Sequence, residues 1–157
     1  MFRRIKELLY ARKVCKKYGL KLKLIPSLGE QAWYDYVQKS VAINPFSRHF
    51  ISSFLHEIGH HTHDKRVEYA QYLFISESTK RPCHCTNDRI VTKVLEAEAF
   101  ASRFAIKTGK VDKQFLLKSF YTYTADYVSY ASVLCGSNGL YETLIDTIYK
   151  CTRRISH

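Results

Sequence analysis

His56-Glu57-Ile58-Gly59-His60 spells H-E-x-x-H within the histidine-dense stretch SSFLHEIGHHTH. On an α-helix, side chains four residues apart stand one above the other. His56 and His60 would then point the same way and could share one Zn2+ ion. Glu57, beside the first ligand, would lean toward an open coordination position. There it could take a proton from a bound water whose pKa zinc brings to about 7. The same carboxylate could return the proton to a leaving amine, which is the acid–base work of peptide hydrolysis.

A catalytic zinc normally takes three protein ligands and leaves the fourth position for water. His63 follows His60 by three residues, near the same face but at the end of the helix. The longer pattern H-E-x-x-H-x-x-G-x-x-H fails, because His63 holds its glycine position and Arg66 its last histidine position. His61 and His63 are therefore read as surface residues or as residues behind the ligands. His49, seven residues before His56, reads as a helix-surface histidine near the rim. A better source lies in VLEAEAFASRFAIKTG, a helical stretch with small residues at Ala97, Ala101 and Ala105. Those positions let it come close to the first helix, and Gly59 removes a side chain where such a neighbour would pack. Glu96 and Glu98 leave that helix about 200° apart, so only one of them can face the metal.

These helices need a frame. Ile5, Leu8, Leu9 and Cys15 predict one apolar face on a first helix over about 3–18, with Gly19 at its end. Lys21–Ile25 alternates as a short strand, and 31–37 and 40–44 read as two more. Ser47 is a candidate N-cap for a helix running to about 62, whose buried stripe is Ile51, Phe54, Leu55 and Ile58. Helices are expected over 66–76, 89–108 (with Asp88 as its cap), 112–134 and 138–154. The order gives an α+β class: one helix, a small and mostly antiparallel sheet, the H-E-x-x-H helix, the glutamate helix and further C-terminal helices. The length of 157 residues fits one domain, with a basic N-terminal helix, a motif core over about 39–109 and a Tyr-rich helical tail over about 111–157.

VAINPFSRHFISSFLHEIGHH followed by EAFASRFA resembles the ImmA/IrrE-type zinc metallopeptidases, a gluzincin branch of the zincin-like proteins. That pattern is a strand, a helix with H-E-x-x-H, and a helix reading roughly E-x-x-A-N-x-F-A. Glu98, Ala101, Phe104 and Ala105 match the second motif, and Ser102 stands where asparagine is common. The resemblance covers roughly Lys39 to Ala105. It implies one catalytic zinc held by His56, His60 and Glu98, with Glu57 as general base and Glu96 as the fallback ligand. It also implies a protein substrate, such as a transcriptional repressor. The chain departs from the family after Phe104-Ala105, where Ile106-Lys107-Thr108-Gly109 replaces the usual Leu-Leu-Met-Pro.

Other features bound the function. A substrate would lie extended along an edge strand at Val41-Ala42-Ile43-Asn44. Tyr123, Tyr127 and Tyr130 share a helical face at the spacing of core packing, and Tyr127 is the candidate oxyanion donor. Cys83-His84-Cys85 offers soft ligands, but C-x-C strains tetrahedral chelation and no second pair follows. It reads as a loop with reactive thiols beside the cleft.

The formal charge is +11. Residues 1–25 hold nine Lys and Arg against Glu7 alone, or +8. A basic first helix could meet nucleic acid, an anionic membrane surface or an acidic partner, and it could equally be a solvated face. The alternative function is thus a non-catalytic regulatory protein that binds nucleic acid or a partner through that helix. The odd count of five cysteines, the absence of a secretory apolar core and the lack of an 18-residue apolar run point to a cytoplasmic protein with mostly free thiols and no membrane span.

Overall fold

A computed structural model describes residues 2–28, 32–64, 88–134 and 138–156, with side chains described except at 28, 64, 88–91 and 126–144. Helix α1 (Phe2–Tyr18) ends in a Schellman motif: Leu20 N–H donates to Cys15 O at 2.9 Å and Gly19 N–H to Lys16 O at 3.3 Å. Gly19 sits at φ 68°, the left-handed region that glycine enters without steric cost. The turn delivers the chain into β1 (Lys21–Leu24), and a 3-10 turn at Pro26–Leu28 follows.

Strands β2 (Ala32–Asp35) and β3 (Ser40–Ile43) form an antiparallel hairpin. Asp35 Oδ1 accepts from Gln38 N–H at 2.8 Å and Lys39 takes φ 48°, which closes the four-residue loop. The sheet is mixed rather than mostly antiparallel. Its order is β1-β3-β2, and β1 runs parallel to β3, with Lys21 opposite Ser40 and Leu24 opposite Ile43. The hairpin fixes β2 against one edge of β3, so β1 takes the other edge. β1 and β2 therefore lie on opposite sides of β3. As a result β3, expected to offer an edge, is the central strand, and all four of its residues are buried.

The remaining described elements are helices: α2 (Phe50–Asp64), α3 (Asp88–Thr108), α4 (Lys113–Leu134) and α5 (Asn138–Ser156). Ser47 does not cap α2 itself. Its Oγ accepts from His49 N–H at 3.2 Å and shapes the turn before the helix. Asp112 caps α4 through an Oδ1 bond from Phe115 N–H at 2.9 Å. The expected helix over 66–76, the Cys83-His84-Cys85 loop and Cys135 lie outside the described residues.

Two cores meet along α3. The first joins Ala11 and Cys15 of α1, Tyr34, Val41 and Ile43 of the sheet, Phe50, Phe54, Leu55 and Ile58 of α2, and Ala105 of α3. The second joins Val94, Leu95 and Ala99 of α3 with Phe120 of α4 and Cys151 and Ile155 of α5. Full burial of a Leu, Ile or Phe contributes roughly 2 kcal/mol, and α3, which contributes to both cores, is held from two sides. Cys15 and Cys151 are free and buried, and burial pushes both thiols up to about 11, which leaves them unreactive.

One expectation for α1 fails. Leu8, Ala11, Val14 and Cys15 face the core, whereas Ile5 and Leu9 are exposed. The sequence carries apolar residues on both sides of this helix, and only the side reached by the sheet and α2 is covered.

Candidate metal centre

The close approach of α2 to α3 creates the site. A Cβ on Gly59 would stand 2.6 Å from Ala101 Cα and 2.8 Å from Ala101 O, so only glycine fits there. Ala97, Ala101 and Ala105 are buried along the same contact, as their small size led us to expect. With the helix backbones this near, side chains one turn away reach across the gap.

His56 and His60 do stand one above the other, with their Nε2 atoms 3.0 Å apart. Glu98 reaches both from α3: Oε2 lies 3.1 Å from His56 Nε2 and Oε1 lies 3.3 Å from His60 Nε2. Glu96 goes elsewhere. It is exposed, with Oε1 3.5 Å from Arg154 Nη1 of α5. The geometry thus brings Glu98, not Glu96, to the histidine pair.

These distances suit a small cation. A tetrahedral ion with bonds of 2.0–2.1 Å places its ligand atoms about 3.3 Å apart, close to the three separations found here. Two imidazole nitrogens and a carboxylate also converge their lone pairs, which repel unless a proton or a cation lies between them. Burial works against the charge of Glu98. The neighbouring His60 and His56 outweigh it by charge and hydrogen bonding, and hold the carboxyl well below the usual carboxylate range.

Glu57 completes the cluster. Ligand atoms of His56, Glu57 and His60 lie within 4.8 Å of one another, a grouping that could hold a metal ion. The residue is buried, and its carboxylate accepts from the backbone N–H of Tyr34 in β2. Burial pushes its pKa up; His60 and His56 pull it down, Glu98 adds to the rise, and the Tyr34 N–H opposes it. A carboxylate raised in this way is a better proton acceptor than an exposed one.

Two contacts were not anticipated. Ser102 Oγ lies 3.2 Å from His56 Nδ1, on the side of the ring away from Glu98. A metal-binding histidine usually donates its second ring N–H to such a partner, which fixes its tautomer and orientation. Ser102 follows Glu98 by four residues on the same helical face, so its spacing carried the signal. Ser102→Ala is expected to weaken zinc binding about 10–100-fold while leaving the fold intact. Competition against a chromophoric chelator measures it, and unchanged affinity would remove Ser102 from this role.

Tyr34 is the second. Besides its backbone bond to Glu57, its hydroxyl lies 2.9 Å from His61 Nδ1. His61 is therefore not a surface residue: it is 5% exposed and wedged edge-on between Tyr18 and Tyr34. One residue past His60, it points back to the sheet while His56 and His60 face α3. Nothing in the sequence announced that pairing, because β2 and α2 meet only in the fold.

The other described candidates make different contacts. His63 packs on Phe100 with ring centres 4.9 Å apart. His49 stacks on Phe115 at 3.9 Å, and its Nδ1 lies 3.4 Å from Asp112 Oδ2. Tyr123 packs against the second core. Tyr127 belongs to the stretch of α4 whose side chains lie outside those described. Compared with protein-family models, with curated proteins and with solved structures, the chain matches none of them.

Proposed function

We propose that the chain is a zinc-dependent metallopeptidase of gluzincin type, with His56, His60 and Glu98 as zinc ligands and Glu57 as general base. The observation that carries this reading is the placement of both Glu98 oxygens against the two Nε2 atoms of the H-E-x-x-H pair. Zinc held there would supply a Lewis acid for a peptide carbonyl and a water acidified to near neutrality. Glu57 accepts the proton of the attacking water and passes it to the departing amine. Tyr34 N–H keeps that carboxylate in place, and Ser102 orients His56. The resemblance to the ImmA/IrrE-type peptidases in both motifs points the same way and favours a regulatory protein as substrate.

The docking strand must be reassigned. β3 cannot pair with a substrate, since β1 and β2 occupy both of its sides. β2 lies at an edge of the sheet, and its Tyr34 neighbours Glu57. An extended peptide substrate would therefore pair along Ala32–Asp35.

A non-catalytic protein that binds nucleic acid or an acidic partner is the second reading, favoured by the exposure of Arg12, Lys13, Lys16 and Lys17 on α1. Peptidase action ranks above it because a simple binder has no need of a buried base beside three metal donors. The two separate in a peptide-library digest read by mass spectrometry. Cleavage that a chelator abolishes and zinc restores supports the peptidase, and digests identical with and without the protein oppose it.

A further inference from the structure

Helix α1 turns apolar residues both inward and outward. Leu8, Ala11, Val14 and Cys15 enter the first core. On the opposite side Phe2, Ile5 and Leu9 are 84%, 47% and 58% exposed. Spacings of three and four put these three in one row along the helix. Lys6 and Lys13 flank the row on one side, Arg12 flanks it on the other, and Lys16 prolongs it; all four are exposed. Arg3 and Arg4 are left out of this set because both pair with Glu7. Lys107, in the last turn of α3, and Lys110, just beyond it, line an open groove with Lys6, Glu7 and Tyr10 of α1.

The cations alone would suit any polyanion. The apolar row distinguishes among them. A duplex phosphate backbone gives Phe2, Ile5 and Leu9 nothing to enter, whereas the boundary between lipid headgroups and acyl chains does. Scattered single apolar residues on a surface need no explanation, but an aligned row framed by lysine and arginine is the pattern of a helix lying on a membrane.

We propose that the outward face of α1 docks on an anionic lipid bilayer, with Phe2, Ile5 and Leu9 entering the interface and Lys6, Arg12, Lys13 and Lys16 against the lipid phosphates. The attachment is peripheral, since no helix among the described residues is long and apolar enough to cross a membrane. Basic and apolar contributions act together: Lys and Arg draw the helix to the surface, and the row holds it there. The proposal does not depend on the metal centre, and its readout needs no hydrolysis.

Co-sedimentation of the full chain tests it, with vesicles of phosphatidylcholine alone and of phosphatidylcholine mixed with phosphatidylglycerol. The mixed vesicles are expected to bind about tenfold or more tightly than the neutral ones. The double variant Phe2→Ser/Leu9→Ser, checked for retained helicity by circular dichroism, is expected to lose about tenfold in that binding. Lys13→Glu/Lys16→Glu is expected to lose at least as much through charge. Equal binding to both vesicle types, no binding to either, or unaltered binding by the apolar double variant overturns the proposal. So does duplex DNA that displaces the vesicles and binds the apolar double variant as it binds wild type; that result would assign α1 to nucleic acid.

Discussion

Glu57→Gln is expected to lower kcat/KM for peptide hydrolysis about 10³-fold while leaving bound zinc and thermal stability close to wild type. Glutamine keeps the shape of the side chain, and its amide oxygen can still accept from the Tyr34 N–H that holds Glu57. What it cannot do is accept a proton at neutral pH. The expected split, with activity lost and metal kept, separates a base from a ligand. That distinction has to be made here, since Glu57 lies in the same 4.8 Å cluster as the two histidines. If the variant loses its zinc together with its activity, Glu57 is a ligand and the assignment of Glu98 has to be revised.

Gly59→Ala is expected to destabilise the fold by about 2 kcal/mol or more and to weaken zinc binding with it. Helix propensity alone predicts the opposite, a gain of about 1 kcal/mol for alanine inside a helix. The added Cβ, however, would stand 2.6 Å from Ala101 Cα and 3.1 Å from its carbonyl carbon. These are backbone atoms of α3 and cannot swing aside, so the two helices must part. Glu98 lies one turn before Ala101 on α3, and a displaced helix carries its carboxylate away from His56 and His60. Thermal melts together with zinc affinity provide the check. The double variant Gly59→Ala/Ala101→Gly is expected not to recover, because no side chain causes the clash. A stabilised Gly59→Ala protein would show that α2 and α3 are not packed this closely.

The helical half of the site was legible because its signals are local. The period of α2, the H-E-x-x-H spacing and the line of alanines in α3 each follow from neighbours within a few turns. They left Glu96 and Glu98 both open; the resemblance in the second motif favoured Glu98, and the fold brings Glu98 to the histidines. The sheet was only partly legible. Three short strands could be read from alternation and turns, but their order depends on which edge of β3 each strand reaches, and residues far apart in the chain decide that. Choosing Val41–Asn44 as an edge failed for this reason. For His61 two positions stayed open, and its burial between Tyr18 and Tyr34, which come from two other elements, rules out the surface one. In α1, Leu8 and Leu9 are equivalent by composition, yet only Leu8 meets the core. The unused Leu9 then becomes part of the outward row.

Every functional claim for the metal centre passes through Glu98. The most direct test is zinc content after exposure to zinc and dialysis, compared among wild type, Glu98→Ala and Glu96→Ala. Wild type and Glu96→Ala are expected to retain stoichiometric zinc, because Glu96 pairs with Arg154 and faces away from the histidines. Glu98→Ala is expected to retain little. Wild-type protein that holds no zinc, or a Glu98→Ala variant that keeps it while Glu96→Ala loses it, would contradict the account.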